Sequence, residues 1–126
     1  MRIHHVGLVC RREADADRFF GELLGLRKSG RKTISASVTR PLFGLDGGID
    51  VCSYAGDGFH FEVFFQDDPK GTAGRITHSC LEVGKSDDLL ERARAMNITV
   101  LRVPKGDGWV TFIEDADGHR FEIKKA

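Results

Sequence analysis

The sequence predicts an α+β fold made of two βαβββ modules in tandem. Three observations carry this expectation. Residues 2–10, "RIHHVGLVC", alternate apolar and polar and are β-rich, and "READADRFFGELLG" then places Ala16, Phe19, Phe20, Leu23 and Leu24 on one helical stripe. Three extended candidates follow, at about 31–38, 48–55 and 58–66. The order strand, helix and three strands then returns, after a segment at 68–74 that carries Gly and Thr beside "DDPKG". The expected modules are residues 1–67 and 75–126, forming one domain.

In the first module, Gly25 supplies a left-handed helix cap and Leu26 the apolar residue just beyond it. The loop "RPLFGLDGG" joins the first two of the three strands, and the tight turn "AGDG" joins the last two. In the second, "RITHSCLEV" at 75–83 reads as a strand. Ser86 is the expected cap of a helix whose first turn sets Asp87 and Asp88 against the positive end of the helix dipole. Leu89, Leu90, Ala93 and Met96 form its buried stripe, and Asn97 suits the exit. Residues 98–103, 109–114 and 119–125 complete the module, divided by "PKGDG" and "DADG".

Composition narrows the function classes. The 126 residues include 19 Lys plus Arg and 19 Asp plus Glu, so there is no basic surplus to hold nucleic acid. No long apolar run or signal peptide is present at the start, which predicts a soluble, cytosolic protein. Three cysteines without a CxxC pair, Cys10, Cys52 and Cys80, suit reduced thiols packed as small core residues.

The chemistry begins with "GDGFHFEVFF". Alternation sends Phe59, Phe61, Val63 and Phe65 to an apolar face, so His60, Glu62 and Phe64 face the other way. The modules also match residue by residue: "IHHVGLVC" aligns with "ITHSCLEV", His5 on His78, and "GFHFEV" aligns with "GHRFEI", Glu62 on Glu122. If the first and last strands of each module lie close, the two His–Glu pairs meet across a pseudo-twofold axis. Two neutral nitrogens and two anionic oxygens neutralise a divalent cation, and a thiolate-free set suits Zn, Ni, Co, Mn or Fe(II). Four protein donors leave a coordination position for water or substrate on a five- or six-coordinate ion.

"HHVGLV", "ADRFFGELLGL", "FHFEVF", "ITHSCLEV" and "FIEDADGHRFEI" together resemble the glyoxalase, bleomycin-resistance and extradiol-dioxygenase superfamily, the vicinal oxygen chelate proteins. The resemblance covers almost the whole chain and is weakest at residues 28–56. It implies two modules forming a cupped mixed-sheet barrel around one divalent metal, commonly in a homodimer acting on a small molecule. Its ligand positions fall on His5, Glu62, His78 and Glu122. His5 is preferred to His4 because it has the spacing to "VGLV" that His78 has to "SCLEV". This ligand set looks like glyoxalase I, the lactoylglutathione lyase, and implies proton transfer by Glu122 or Glu62 on a metal-chelated enediolate. Val9 and Gln66 stand where glyoxalase I members usually have glutathione-contacting Arg and Asn, so those contacts are missing.

Residues sharing a face with the expected ligands are candidates for lining the substrate pocket: His60 and Phe64 beside Glu62, Arg120 and Lys124 beside Glu122. Arg40, in the loop before Pro41, is the candidate contact for an anionic substrate. Cys80 shares a face with His78 and is expected to be packed; Trp109 and Phe112 are expected in the core, with closure of an apolar substrate wall by one of them as the alternative. Three alternatives stay open on the same scaffold: a metal-free drug-sequestering protein, an Fe(II) dioxygenase using His5, His78 and Glu122, and an acyl-CoA epimerase.

Overall fold

The computed structural model describes residues 3–67 and 78–126. The chain divides into two compact units, Met1–Pro69 and Lys70–Ala126. The expected segment at 68–74, residue 2 of the first expected strand and residues 75–77 of the strand expected at 75–83 lie outside the described residues. No helix among the described residues is long and apolar enough to cross a membrane.

Unit 1 runs β1 (His5–Cys10), α1, β2 (Arg27–Lys28), β3 (Lys32–Ile34), α2 (Ala36–Phe43), β4 (Ile49–Ala55) and β5 (His60–Phe65). Helix α1 begins as Glu13–Ala16 and widens over Asp17–Leu23, where Leu24 N–H reaches back five residues to the Phe19 carbonyl at 3.1 Å. Gly25, at φ 68°, ends it in the left-handed conformation the sequence suggests. The sheet order is β1-β5-β4-β2, with β3 also pairing β4. β1 runs parallel to β5, and β5 antiparallel to β4. Ala16, Phe19, Phe20 and Leu23 are buried on α1, as are Cys10, Cys52, Tyr54, Phe61 and Val63 on one face of the sheet.

The strand expected at 31–38 stops at Ile34, and helix α2 takes up the end of that strand and the first four residues of the expected loop, 40–43. Thr33, Ile34 and Val38 carry the β-branched bias that suggested a strand. Local and loop contacts override it: Ser35 keeps an extended backbone ahead of the helix, Gly44 closes it at φ 68°, and buried Thr39 donates its hydroxyl to the Gly47 carbonyl at 2.6 Å. Arg40 therefore lies on a helix, with its guanidinium bonded to the Asp46 carbonyl at 3.0 Å.

Unit 2 comprises β6 (His78–Val83), α3 (Ser86–Ala95), β7 (Thr99–Lys105), β8 (Gly108–Glu114) and β9 (Arg120–Lys125). Its sheet order is β6-β9-β8-β7, with β6 parallel to β9 and the other pairs antiparallel. This repeats the pairing of unit 1, since the first and last strands of each unit are direct neighbours. Leu89, Leu90 and Ala93 are buried on α3, and Ile113, Phe121 and Ile123 on the sheet. Ser86 is the first helical residue rather than the cap: Lys85 precedes the helix, without a side-chain cap, and its carbonyl accepts from Leu89 N–H at 3.1 Å. Asn97 takes the left-handed exit, at φ 56°. In "DADG", buried Asp115 accepts from the Asp117 and His119 backbone N–H groups at 3.0 and 2.8 Å, and its other oxygen lies 2.7 Å from His119 Nδ1.

An ionic network ties α1 to the far strands of unit 1. Lys28 Nζ lies 2.7 Å from both Glu13 and Asp17, Arg31 bridges Glu13 and Asp50, and Tyr54 donates to Asp17 at 2.7 Å. The hydrogen bond from Lys28 holds the Glu13 carboxyl below its ordinary value of 4.5, and Thr33 with Arg31 holds Asp50 below 3.8. For Asp17, desolvation opposes ionisation but is outweighed by hydrogen bonds from Lys28 and Tyr54, so its value also falls below 3.8. Depressed folded values stabilise the protein above the unfolded pKa values, and that contribution is lost as pH falls through the folded ones. The urea midpoint is expected to hold from pH 7 to about pH 5 and then decline. Lys28→Met should be less stable at neutral pH and converge with the parent only as the pH falls through the depressed folded values of these carboxyls. A gap that persists in acid would assign Lys28 a packing role instead.

Candidate functional site

Parallel pairing of the first and last strands positions the candidate ligands in each unit. In unit 1 His5 lies opposite His60 and Gly7 opposite Glu62, so His5 and Glu62 are diagonal neighbours on one face. His5 Nε2 stands 3.5 Å from Glu62 Oε2. In unit 2 His78 lies opposite Arg120 and Cys80 opposite Glu122, giving the same diagonal, with His78 Nε2 3.6 Å from Glu122 Oε2. These separations are too long for good hydrogen bonds. They are close to the spacing of two donors on one ion, about 3.0 Å in octahedral and about 3.4 Å in tetrahedral geometry for bonds of about 2.1 Å. An imidazole and a carboxylate so placed fit a divalent metal.

The surroundings of the two pairs differ. The second oxygen of Glu62 faces His60 Nε2 at 3.7 Å, whereas that of Glu122 faces Lys124 Nζ at 3.8 Å. Phe64, on the Glu62 face, meets Phe43 of α2 edge-on at 5.8 Å and packs over Gly7, where a Cβ would touch its ring at 3.4 Å. Phe43 was not legible beside Phe64 because its own stretch, the second half of α2, reads as a loop in sequence. In unit 2, Phe112 sits edge-on to His78 at 5.2 Å and lies opposite Glu122. Arg120 bonds Glu114 across the sheet at 2.8 Å.

Three core assignments need correction, the first being Phe112, which is half-buried on the His78 and Glu122 side of the sheet. Cys10 and Cys52 are buried, but Cys80 is exposed, next to Glu122 on the open face of the sheet. Partial desolvation first and the Glu122 charge second push its thiol up, so it is not an activated thiolate. Trp109 is also exposed, with the Arg102 guanidinium 4.8 Å above its ring, because it lies near the end of the β7–β8 hairpin rather than under α3. His4, the less favoured of the "HH" doublet, places its Nδ1 3.2 Å from that of His5.

A family model described as the Glyoxalase/Bleomycin resistance protein/Dioxygenase superfamily matches residues 2–123. No curated protein sequence matches the chain. Among solved structures, the glyoxalase family protein from Enterococcus faecalis is 18% identical with a TM-score of 0.72, covering 97% of this chain and 95% of its own. A glyoxalase/dioxygenase from Nostoc punctiforme is 19% identical with a TM-score of 0.68, covering 98% and 90%. The fosfomycin resistance protein FosX from Listeria monocytogenes is 15% identical with a TM-score of 0.73, covering 97% and 91%. With first and last strands paired in each unit and the family model spanning nearly every residue, the chain belongs to the glyoxalase/bleomycin resistance protein/dioxygenase superfamily and has its vicinal oxygen chelate fold.

Proposed function

We propose that the chain is a divalent-metal-dependent isomerase or lyase of the glyoxalase type, in which His5, Glu62, His78 and Glu122 together hold one ion. The observation that carries this reading is the diagonal His–Glu pair built twice, at 3.5 and 3.6 Å. Once bound, the ion supplies Lewis acidity, stabilising the negative charge that develops on the oxygens of a carbonyl substrate. Glu122 or Glu62 takes a proton from the carbon next to the carbonyl and returns it to the neighbouring carbon. The second oxygen of each carboxylate has a cationic or imidazole neighbour, His60 at 3.7 Å for Glu62 and Lys124 at 3.8 Å for Glu122. Phe64 with Phe43, and Phe112, supply apolar walls that exclude water; Arg40 and Arg120 are the cations that an anionic substrate would meet.

Val9 and Gln66 remove two expected glutathione contacts, so the substrate panel needs acyl thioesters and free hydroxyaldehydes beside the glutathione hemithioacetal. Fosfomycin belongs in the panel because fosfomycin resistance proteins share the fold. The family resemblance also implies a homodimer, which sedimentation tests.

The deciding experiment pairs elemental analysis of the purified protein with substrate incubation in D2O. A bound divalent metal and metal-dependent deuterium incorporation next to the carbonyl are expected. Metal with oxygen consumption and no exchange would make it a dioxygenase. Failure to take up any divalent metal would make it a ligand-sequestering protein of the bleomycin-resistance type.

A further inference from the structure

We propose that His4, His5 and His60 form a second, imidazole-only metal set on unit 1, selective for zinc or copper and competing with the His–Glu set for His5. His4 directly precedes β1, His5 opens it, and His60 opens β5 opposite His5. The His60 backbone N–H reaches the His4 carbonyl at 3.4 Å, which ties His4 to the end of the ladder. One ring nitrogen from each of the three side chains lies within 4.8 Å of the others. The Nδ1 atoms of His4 and His5 are 3.2 Å apart, within the range of about 3.0–3.4 Å expected for adjacent donors on one ion.

A hydrogen bond between His4 and His5 accounts for two rings but not for the third. The His60 ring centroid lies 4.8 Å from that of His4 and 5.3 Å from that of His5. Glu62 lies beside both strand imidazoles, its two oxygens 3.5 and 3.7 Å from His5 Nε2 and His60 Nε2, close enough to become their outer partner. Ligating imidazoles commonly turn their second nitrogen to a carboxylate, which fixes the tautomer and leaves Nδ1 for the ion. Glu62 thus changes role between the two sets, from direct donor to outer partner. The device belongs to unit 1: by the alignment of the modules, Thr77 and Arg120 take the places of His4 and His60.

Donor chemistry separates the two sets. Three imidazoles favour copper, nickel and zinc, whereas manganese leans on carboxylate oxygens. Three His donors also leave a fourth position open on a tetrahedral zinc ion. Because His5 serves both sets, an ion seated on the three imidazoles withdraws a donor from the other, and excess zinc displaces manganese.

The set is built from unit 1 alone, so it is tested without relying on the isomerase reading. In the full chain carrying His78→Ala and Glu122→Ala, equilibrium dialysis against Zn(II) is expected to find one zinc per chain. Adding His4→Ala, or separately His60→Ala, should weaken that binding at least about 10-fold, with circular dichroism unchanged. Cu(II) in the same background should show electron paramagnetic resonance couplings from three nitrogens, falling to two in His4→Ala. No zinc bound in that background, or an affinity that stays within about twofold after His4→Ala, overturns the proposal.

Discussion

Replacing Glu62 with alanine is expected to weaken Mn(II) binding at least about 100-fold, since losing even an outer partner of a ligand costs about 10–100-fold and Glu62 is proposed as a direct anionic donor. Mn(II) is the right probe because it depends on carboxylate oxygens, so the three imidazoles of unit 1 cannot stand in for the missing one. Glu122→Ala should produce a loss of similar size, because the two His–Glu pairs have the same geometry. Glu82→Ala removes an exposed charge from β6 that is paired with neither candidate imidazole in the described contacts, and is expected to leave Mn(II) affinity unchanged. The fold should survive Glu62→Ala, since Phe61 and Val63, the buried residues either side of it, face the opposite side of β5. Equilibrium dialysis reads the result. If Glu62→Ala binds Mn(II) as the parent does, Glu62 is a polar groove wall and the isomerase reading loses its ion.

What the sequence revealed and what it hid have physical causes. The His5–Glu62 and His78–Glu122 pairs could be selected from alignment of the two halves, because a repeat imposes equal spacing on both. Their adjacency follows from a parallel ladder between the first and last strands, a long-range pairing that no local period encodes. The helix at 36–43 was hidden by β-branched residues and by Pro41, while the contacts that hold it, Thr39 to Gly47 and Arg40 to Asp46, come from the loop beyond. Ser86 looked like a cap because its residue type fits that role, yet the helix starts one residue earlier than the side chain suggests. His4 was set aside because spacing assigns one ligand of the doublet. Spacing could not show that the His60 strand brings a third imidazole to the same corner.

Phe20→Ala is expected to cost about 3–5 kcal/mol, the range for emptying a buried aromatic site. Against a total stability of about 5–15 kcal/mol, that is a large fraction. Phe20 is fully buried, with ring centroids of Phe19, Tyr54 and Phe61 at 5.0, 5.3 and 5.3 Å. Tyr54 and Phe61 face each other across the β4–β5 ladder, so Phe20 covers the junction of the two strands. The hole cannot readily close, because the Tyr54 hydroxyl is held by Asp17 at 2.7 Å and Phe61 lies on a strand paired on both sides. Phe43→Ala, by contrast, truncates a side chain that is 54% exposed and should change the urea midpoint far less. The stability lost through Phe20 should be partly recoverable through the site on the other face of β5. Mn(II) at about 100 times its dissociation constant stabilises a native state that binds it by about 2.7 kcal/mol. Recovery of that size in Phe20→Ala would show that the weakened unit still presents His5 and Glu62 in register. Its absence, with parent-like recovery in Phe43→Ala, would mean that packing under β5 sets the geometry of His5 and Glu62, the proposed metal donors above it.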